Sequence, residues 1–512
     1  MRVLLEKRLN LLLALVLLLS IARLWIISLH LSFWVDEMVT VFVVHQGPDH
    51  PSLAIAPQVS KSVYYSVARA ADSLFGVSEV GYRVPSILAM ALMLLLITRL
   101  AARLIHPDAA WFAVFSCLAL RAVNTEAADA RPYALGMCVS AAALFFLVNW
   151  LDSNGWIPAA GFVVFGALLW RVHLLYWPIY LVFVFYAIVR RARGETKVSW
   201  LTMMLIFSSL AIALVPVAME SLPILREAHA HVIVSAPRWI QLIYALKLSL
   251  LLAAFAIAGI LNRLLQRTST GGSSTRATSE LSTFTSISSS SVCLILAWWL
   301  IHPISLFVFS RLSGDSVFVP RYLSIALPGA AAAATLAAAM FIPPSGSAPR
   351  WKSAALILGV GVLFTVGNWR HPWTPHAPSD WRNASRAVHA LASADTPVIC
   401  PSPFIEAKSP VWTPDYPLPG FLYSYLSVYP TGGRQVLFPF ETSPEADVYA
   451  RELSRDTLLH AGRFVIYGGL GPSGYWRDWF LKQPELTGWR ATSLGSFGDV
   501  LAVVLEPASG AR

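Results

Sequence analysis

The chain has 512 residues, of which 56% are hydrophobic and only 13% are charged, and its formal net charge is +10. Charged residues make up about a quarter of a typical soluble protein, so this composition excludes an ordinary soluble chain. It also excludes a disordered chain, which would be poor in apolar residues. Apolar runs of spanning length recur between residue 9 and about residue 368. They predict a polytopic α-helical membrane protein.

The apolar runs predict about eleven transmembrane helices within a membrane domain of residues 1–369. The first run is too long for the apolar core of a secretory signal. Residues 157–189 contain Arg171, His173 and Pro178, so we divide this stretch into two short helices, and the exact count depends on that division. The predicted spans lie near residues 11–31, 84–104, 109–123, 133–151, 157–172, 174–189, 199–217, 240–261, 291–309, 322–341 and 354–368.

The basic residues are distributed unevenly between the predicted loops. Lys and Arg are in excess on the side of the N-terminus, for example in the loop 190–197, whereas acidic and basic residues balance on the opposite side. This positive-inside pattern predicts that the N-terminus and the Ser/Thr-rich linker 268–291 are cytoplasmic. An odd number of spans then places the C-terminus on the other side. No basic stripe interleaved with aromatic residues remains, so the charge does not indicate a nucleic-acid partner.

Residues 370–512 differ in character from the membrane domain. Their apolar runs have the length of strands and alternate with helix-like stretches, and about 140 residues suffice for a separate core. The sequence therefore predicts a soluble α/β domain at the extracytoplasmic face. The predicted strands are 396–400, 435–438, 463–467 and 500–505, and the predicted helices are 381–392 and 445–459.

The first outer loop, residues 32–82, is expected to carry interfacial helices, and it begins with Ser-Phe-Trp-Val-Asp-Glu at 32–37. A carboxylate just beyond the first helix can take a proton from an attacking hydroxyl group or hold a divalent cation. Adjacent carboxylates in a strand or a loop point apart, so only one of Asp36 and Glu37 needs to face a cavity. The alternative is a solvated helix end without chemistry.

A second group of charged residues joins two predicted helices at residues 124–133. Glu126 and Asp129 are three residues apart and share a face if this stretch is helical. Pro132 suits the first turn of the next helix, and Arg131 would then grip a phosphate group beside unpaired backbone N–H groups. A mutually neutralised loop is an equally good interpretation.

Two further polar residues lie at predicted helix ends. Arg321 opens a helix at the outer face, where it either binds phosphate or extends towards lipid headgroups. His173 lies between two short apolar helices. It is either a ligand for a phosphate group or a metal, or a satisfied core histidine. The residues alone leave these alternatives open.

These motifs, in this order, resemble those of polyprenyl-phosphate-sugar glycosyltransferases with the GT-C fold. Within that class, the resemblance is to relatives of protein O-mannosyltransferases, of the lipid A aminoarabinose transferase and of lipopolysaccharide core transferases. It covers about residues 5–390. The segments that carry it are Phe33-Trp34-Val35-Asp36-Glu37, Tyr64-Tyr65, Leu74-Phe75-Gly76-Val77-Ser78-Glu79, Arg83-Val84-Pro85-Ser86, Ala130-Arg131-Pro132-Tyr133-Ala134-Leu135, Pro320-Arg321-Tyr322-Leu323 and Asp380-Trp381-Arg382.

The resemblance implies an enzyme of the bacterial inner or plasma membrane. This enzyme would move a hexose or a pentose from a polyprenyl-phosphate donor to a hydroxyl group of a lipid, glycan or protein acceptor, with inversion. By resemblance, the catalytic carboxylates are Asp36, as the general base, and Glu37. The donor phosphate would be bound by Arg131, Arg321 and Lys61.

The resemblance also implies residues that orient the acceptor or a metal ion, namely Glu126, Asp129, His173 and Tyr133. No cofactor is certain. A divalent metal ion is the one candidate, with Asp36, Glu126 and Asp129 as its ligands. The partners would be the donor, the acceptor and the surrounding membrane lipids, and nucleic acid is not among them.

One segment departs from the family pattern. Relatives carry His- or Lys-Pro-Pro-Leu just before the tyrosine pair, whereas this chain has Ser60-Lys61-Ser62-Val63, which lacks the two prolines. A catalytically idle relative is therefore one alternative to an enzyme. A transporter or lipid flippase is the other, and it predicts broken helices in paired repeats with ionisable residues at the membrane midplane.

Overall fold

The computed structural model describes most of the chain. Lys61 and residues 268–286 of the predicted linker lie outside the described residues. The described residues are 2–46, 62–231, 235–267, 287–314, 316–342, 348–367, 373–405, 407, 412–414 and 421–508.

Helices occupy the apolar part of the chain, as its composition predicts. The first apolar run continues beyond its α-helix through a π-helical turn and a 3-10 turn to His30. The helices as far as the start of the C-terminal region are α1 (Arg2–Ile21), α2 (Val35–His45), α3 (Val63–Phe75), α4 (Glu79–Leu104), α5 (Ala110–Leu118), α6 (Arg121–Ala127), α7 (Tyr133–Ser153), α8 (Trp156–Val172), α9 (Ile179–Ala192), α10 (Trp200–His231), α11 (Trp239–Ala245), α12 (Leu248–Arg267), α13 (Ser289–Ser313), α14 (Leu327–Ala339) and α15 (Ala348–Thr365).

Within the described residues, 7 helical segments are long and apolar enough to cross a membrane, or 8 if the bent pair α11 and α12 forms one span. The protein is therefore a polytopic α-helical membrane protein, as predicted. Two shorter apolar helices, Pro107–Leu118 and Trp156–Val172, fall on further predicted spans. The predicted count of about eleven spans is not confirmed.

The first compact unit of the chain contains Met1–Leu29, Lys61–Val67 and Arg83–Pro375. Its most buried helices are α7 and α14, and α14 packs against α12 and α13. Alanines and a glycine give α14 a narrow surface, which lets its backbone approach its neighbours closely. A Cβ atom on Gly329 would lie only 2.7 Å from the backbone nitrogen of Trp299 on α13. This close packing fixes the segment that leads into α14.

The predicted linker 268–291 ends earlier than expected. Helix α13 already begins at Ser289, and the hydroxyl group of Ser288 accepts the backbone N–H of Ser291 at 3.2 Å. Serine is favoured at this position because its side chain satisfies an N–H group that has no partner within the helix. The end of the serine-rich stretch is therefore a helix start.

The second compact unit contains His30–Ser60, Ala68–Tyr82 and His376–Arg512. It includes a five-stranded sheet with the order β2-β1-β3-β5-β4, in which β1 pairs in parallel with β2 and β3, and β5 pairs antiparallel with β3 and β4. The small C-terminal α/β region is thus present. The strands are β1 (Pro397–Pro401), β2 (Arg434–Phe438), β3 (Phe464–Gly469), β4 (Trp489–Ser493) and β5 (Val500–Pro507), and the helices are α16 (Trp381–Leu391), α17 (Ser424–Val428), α18 (Pro444–Leu453), α19 (Leu459–Ala461) and α20 (Leu470–Leu481).

Candidate active site

Two arginines and three ring side chains lie together in the first compact unit, and we call Arg131, Tyr133, His173, Arg321 and Tyr322 the cationic cluster. The ring centroid of His173 lies 5.9 Å from that of Tyr133 and 5.1 Å from that of Tyr322. The guanidinium carbon of Arg131 lies 6.0 Å from the Tyr133 ring centroid. The guanidinium carbon of Arg321 lies 5.5 Å from the Tyr322 ring centroid. Three segments that are distant in sequence therefore meet at His173.

Each arginine of the cationic cluster lies at the start of a helix. Pro132 is the N-cap residue of α7, so Arg131 directly precedes that helix start. Arg321 lies in the first turn of the 3-10 helix Pro320–Ala326, which leads into α14. Helix starts carry backbone N–H groups without intrahelical acceptors and a partial positive charge. Both guanidinium groups therefore reinforce places that already favour an anion.

His173 lies in the turn between α8 and α9, outside both helices. Its Nδ1 atom accepts the backbone N–H of Leu175 at 3.3 Å, which fixes the ring. Burial, followed by the positive charge of Arg131, lowers the pKa of His173 to about 3. An imidazolium ion would be desolvated there and would face like charges. The ring is therefore neutral near pH 7, and the arginines supply the positive charge of the cluster.

Two polar contacts hold the segment that carries Arg321. The Nε2 atom of His302, on α13, donates to the carbonyl oxygen of Tyr322 at 2.9 Å. The hydroxyl groups of Tyr176 and Ser324 lie 3.1 Å apart. The 3-10 helix thus contacts both α13 and the turn after α8 through buried polar groups. These contacts fix the backbone of the segment that carries Arg321.

Two predicted carboxylates lie on α6 and just beyond it. Glu126 is 6% exposed and Asp129 is 1% exposed. Helix α6 ends at Ala127, so the common helical face that the sequence suggested for these residues does not form. The hydroxyl group of Ser86 donates to the backbone oxygen of Asp129 at 2.6 Å, which fixes the turn before Arg131. Carboxylates are rarely this buried without partners, so both belong to the polar interior of the unit.

The segment that follows Lys61 in sequence reaches the same region. Lys61 itself lies outside the described residues. The hydroxyl group of Ser62 donates to the carbonyl oxygen of Val172 at 3.5 Å, and Val172 is the residue before His173. The residue next to Lys61 therefore lies beside the turn that carries the histidine of the cationic cluster.

Two adjoining cavities, which we call the apolar channel, lie beside the 3-10 helix of Arg321. The first has a volume of about 180 Å³, and Pro320 and Leu323 contribute to its wall. The second has a volume of about 470 Å³ and is lined largely by apolar residues of α12 and α15. Ala122 and Lys247 line both cavities. The first cavity thus lies beside residues next to Arg321, and the second lies along α12 and α15.

The predicted catalytic carboxylates lie in the second compact unit, in the first turn of α2. The sequence suggested a strand or a loop here, and the difference has a local cause. The carboxylate of Glu37 accepts the backbone N–H of Trp34 at 3.1 Å, which closes the start of the helix. Glu37 is fully buried, whereas Asp36 is half-buried. Of the two residues, only Asp36 keeps exposed surface.

A hydrogen-bonded network within the second unit holds the segment before Asp36. The backbone N–H of Phe33 donates to the hydroxyl oxygen of Tyr429 at 2.9 Å, and this hydroxyl group donates to Glu79 at 2.7 Å. Arg382 contacts the same oxygen of Glu79 with its Nε atom at 3.0 Å and its Nη2 atom at 2.6 Å. The motifs contained Glu79 and Arg382, but Tyr429 was missed because a single tyrosine in a poorly patterned region gives no signal.

Asp36 and the two arginines belong to different compact units, so the shared catalytic role that the resemblance implies for them stays a prediction. In the part of the chain that the structure describes, no group of three or more His, Cys, Asp or Glu side chains is arranged to hold a metal ion. The metal ion suggested for Asp36, Glu126 and Asp129 therefore gains no support from the geometry.

Known proteins resemble the chain in sequence and in fold. Residues 62–219 match the family of dolichyl-phosphate-mannose-protein mannosyltransferases. The crystal structure of ArnT from Cupriavidus metallidurans in the apo state is 13% identical, covers 97% of this chain and 98% of ArnT, and gives a TM-score of 0.52. The structure of the same enzyme bound to undecaprenyl phosphate is 12% identical, covers 98% of both chains and gives a TM-score of 0.55. No curated protein sequence gives a significant match.

The chain has the GT-C fold of ArnT. The resemblance inferred from the motifs is therefore confirmed. Three members of the cationic cluster, Arg131, Tyr133 and His173, lie within the matched family region. Together, the family match and the fold support a membrane glycosyltransferase with a polyprenyl-phosphate-linked donor.

Proposed function

We propose that this protein transfers a monosaccharide from a polyprenyl phosphate to a hydroxyl acceptor at the extracytoplasmic face of the membrane. The observation that carries this proposal is the cationic cluster, in which Arg131 and Arg321 flank aromatic neighbours of a neutral histidine. Guanidinium groups in a partly buried site bind phosphate through charge-assisted, bidentate hydrogen bonds. The family match and the GT-C fold agree with this class of donor.

The cationic cluster would act on the bond between the sugar and the phosphate. As this bond breaks, negative charge grows on the phosphate oxygen, and positive groups that are already in place stabilise it. The phosphate then leaves without a general acid. Lys61 is proposed as a third cation, because its neighbour Ser62 lies beside the turn of His173.

The isoprenoid chain of the donor is proposed to occupy the apolar channel. The channel adjoins the 3-10 helix of Arg321, so a lipid whose phosphate lies at that arginine can place its chain along α12. Ligand cavities commonly measure about 300–1,000 Å³, which is the range of the larger cavity. Burial of each methylene group contributes about 0.8 kcal/mol, so an isoprenoid segment supplies much of the donor affinity.

Asp36 is proposed as the general base. It lies in the first turn of α2, where a carboxylate is favoured, and Glu37 positions it by closing the helix start. The carboxylate would take the proton of the acceptor hydroxyl group as that oxygen attacks the anomeric carbon. Attack opposite to the departing phosphate inverts the anomeric centre. Glu126 and Asp129 are proposed to orient the acceptor.

A transporter would instead contain broken helices in paired repeats. The described residues contain one bent pair, α11 and α12, with an angle of 44° between its members. The break lies at Lys247, which lines both cavities of the apolar channel. A single break at the channel fits a binding site for a lipid chain, and no second break of the same kind accompanies it among the described helices.

The experiment uses purified protein in proteoliposomes with a radiolabelled polyprenyl-phosphate sugar and a membrane extract as the acceptor source. Wild-type protein should release polyprenyl phosphate and label an acceptor. Asp36→Asn should abolish transfer while the affinity for polyprenyl phosphate persists. Arg131→Ala and Arg321→Ala should each weaken that affinity by about 1.5–3 kcal/mol, as expected for lost hydrogen bonds to a charged group. Arg263→Ala, at an exposed position of α12, is the matched control.

Three results would count against the proposal. Near-normal turnover by Asp36→Asn would remove Asp36 from the mechanism. Unchanged affinity in both Arg131→Ala and Arg321→Ala would exclude the cationic cluster as the phosphate site. Movement of a labelled lipid across the bilayer without release of polyprenyl phosphate would favour the transporter.

A further inference from the structure

In the parallel part of the sheet in the second unit, successive strands are added first on one side of β1 and then on the other. From β1 the chain continues to β2 on one side, whereas β3 pairs with β1 on the other side. The carboxyl ends of β1 and β3 therefore lie next to each other, and the connections that leave them diverge. In open α/β sheets, such a point leaves a crevice outside the strand ends in which ligands bind.

A cavity of about 340 Å³ lies at this point, and we call it the sheet crevice. Pro403 lines it just beyond the end of β1, and Gly469 lines it at the end of β3. The start of α20 contributes Gly471, and the turn before β5 contributes Asp499. Trp34, which immediately precedes α2, forms a further part of the wall. The crevice is thus lined by elements of one compact unit.

One wall of the sheet crevice is aromatic. The rings of Trp34 and His376 are stacked, with centroids 4.0 Å apart and planes inclined by 22°. Because stacking covers one face of each ring, a flat apolar partner can lie only against the opposite face of either ring. The C–H face of a sugar ring has the matching shape, since its hydroxyl groups point outwards from a flat apolar patch.

The other walls of the crevice offer hydrogen-bond partners for hydroxyl groups. Gly471 lies in the first turn of α20, where backbone N–H groups have no intrahelical acceptor. Asp499 is exposed and supplies a carboxylate. The turn before it is fixed at Gly498, whose φ is +66° and whose added Cβ atom would lie 1.9 Å from the carbonyl oxygen of Pro378. The carboxylate therefore projects from a rigid turn.

The charge of the sheet crevice distinguishes it from the donor site. Its lining residues include Asp499 but neither lysine nor arginine. A phosphate group would meet a carboxylate there without a cation to pair with it, which is unfavourable. An uncharged sugar ring has no such penalty. The chemistry of the crevice therefore suits a neutral sugar and not the phosphate end of the donor.

We propose that the sheet crevice binds a sugar residue of the acceptor, so that the acceptor is a glycan or the glycan part of a larger molecule. This inference rests on the proposed function. Trp34 and Val35 line the crevice, and Asp36 follows them directly in the first turn of α2. A sugar stacked on Trp34 thus presents its hydroxyl groups beside the segment that carries the proposed base.

Two glycines of α20 provide a matched pair of variants. A Cβ atom on Gly471, which lines the crevice, would meet no atom within 4 Å, and the same holds for Gly474, which does not line it. Gly471→Leu therefore adds a side chain at the crevice whose Cβ atom meets no clash, and Gly474→Leu adds the same side chain outside the crevice. Any general effect of leucine on α20 appears in both variants, whereas loss of sugar binding appears only in the first.

The first measurement is saturation-transfer NMR on the full-length protein in detergent, with the methyl glycosides of glucose, galactose, mannose and arabinose as probes. Wild-type protein and Gly474→Leu should give signals with at least one glycoside, and Gly471→Leu should lose them. Trp34→Ala should also lose them, and Trp34→Phe should retain part of them. This measurement needs no turnover, so it stands even if the proposed transferase activity fails.

The second measurement is sugar transfer to the extracted acceptor. Gly471→Leu should raise the KM for the acceptor about tenfold or more, as expected when an apolar contact in a binding site is lost. The KM for the donor should stay at the wild-type value, and Gly474→Leu should leave both constants unchanged. A raised KM for the donor alone, or acceptor kinetics that are equal in the two glycine variants, would overturn the proposal. Wild-type protein that binds none of the glycosides would also overturn it, as would transfer to serine peptides that contain no sugar.

Discussion

Tyr429 joins the segment before Asp36 to the rest of the second unit, because its hydroxyl group makes two hydrogen bonds. It accepts the backbone N–H of Phe33 at 2.9 Å and donates to Glu79 at 2.7 Å. Burial and the neighbouring carboxylate of Glu79 raise the pKa of Tyr429, so the hydroxyl group stays protonated and can donate. Tyr429→Phe removes both contacts and keeps the ring, whose centroid lies 6.4 Å from that of Phe33.

Tyr429→Phe should destabilise this segment mainly because the backbone N–H of Phe33 loses the hydrogen bond to Tyr429. Glu79 keeps its two contacts with Arg382, so its charge remains paired. Phe33 is only 1% exposed, so its N–H group loses its acceptor in a place that water does not reach. A buried donor without an acceptor costs about 1–3 kcal/mol. A value of about 2 kcal/mol corresponds to a roughly thirtyfold change in the local opening equilibrium.

Hydrogen exchange followed by mass spectrometry measures this opening directly. Peptides that begin near residue 31 should exchange roughly thirtyfold faster at Phe33 in Tyr429→Phe than in wild-type protein. Tyr475→Phe is the control, because this ring lies on the exposed side of α20. Unchanged exchange at Phe33, or equal acceleration in both variants, would refute the reasoning that Tyr429 holds the segment before Asp36.

Three further predictions follow from the described geometry. Gly329→Ala should lower the free energy of unfolding in detergent by about 1–3 kcal/mol, because its Cβ atom would collide with the backbone of α13. Gly361→Ala should leave this free energy unchanged, because its Cβ atom would meet nothing within 4 Å. The lowered pKa of His173 means that the unfolded chain binds the extra proton first, so the free energy of unfolding should fall as the pH decreases from about 6.5 to about 3. His173→Gln should flatten this slope in acid-unfolding curves, and an unchanged slope would contradict a buried neutral ring. For the topology, a membrane-impermeant maleimide should label Lys482→Cys but not Lys197→Cys in intact cells, and the reverse pattern would invert the predicted orientation.

The sequence determined the elements whose signal is local. Apolar runs of spanning length predicted the positions of the long helices, because a membrane span must be apolar along its whole length. The strand-length runs of the tail correspond to β1, β2, β3 and β5. Strand β4 was missed because its residues are mostly exposed and polar at the edge of the sheet, so that no apolar run marks it. Helix α20 was missed because its first turn contains Gly471 and Pro472, which are typical of turns.

The candidate site was predicted only in part. The sequence singled out Arg131, Arg321 and His173, and the resemblance assigned both arginines to one phosphate group. It did not indicate that the tyrosines next to both arginines lie against the ring of His173. The sequence also could not show that Glu37 is buried whereas Asp36 keeps exposed surface, because this difference accompanies the hydrogen bond between Glu37 and the backbone of Trp34. A sequence shows which residues can act as acids, bases or phosphate ligands, but it does not show which residues they will contact.

The division of the chain into compact units was decided by tertiary structure alone. The segments 30–60 and 68–82 belong to the same unit as 376–512, although the sequence suggested a single boundary near residue 370. The reason is physical. Periodicity and composition act over a few turns of chain, whereas the contact of Tyr429 with Glu79 joins residues 350 positions apart. Such contacts form only when folding brings their partners together, so they fix the segment of Asp36 without leaving a pattern in the neighbouring residues.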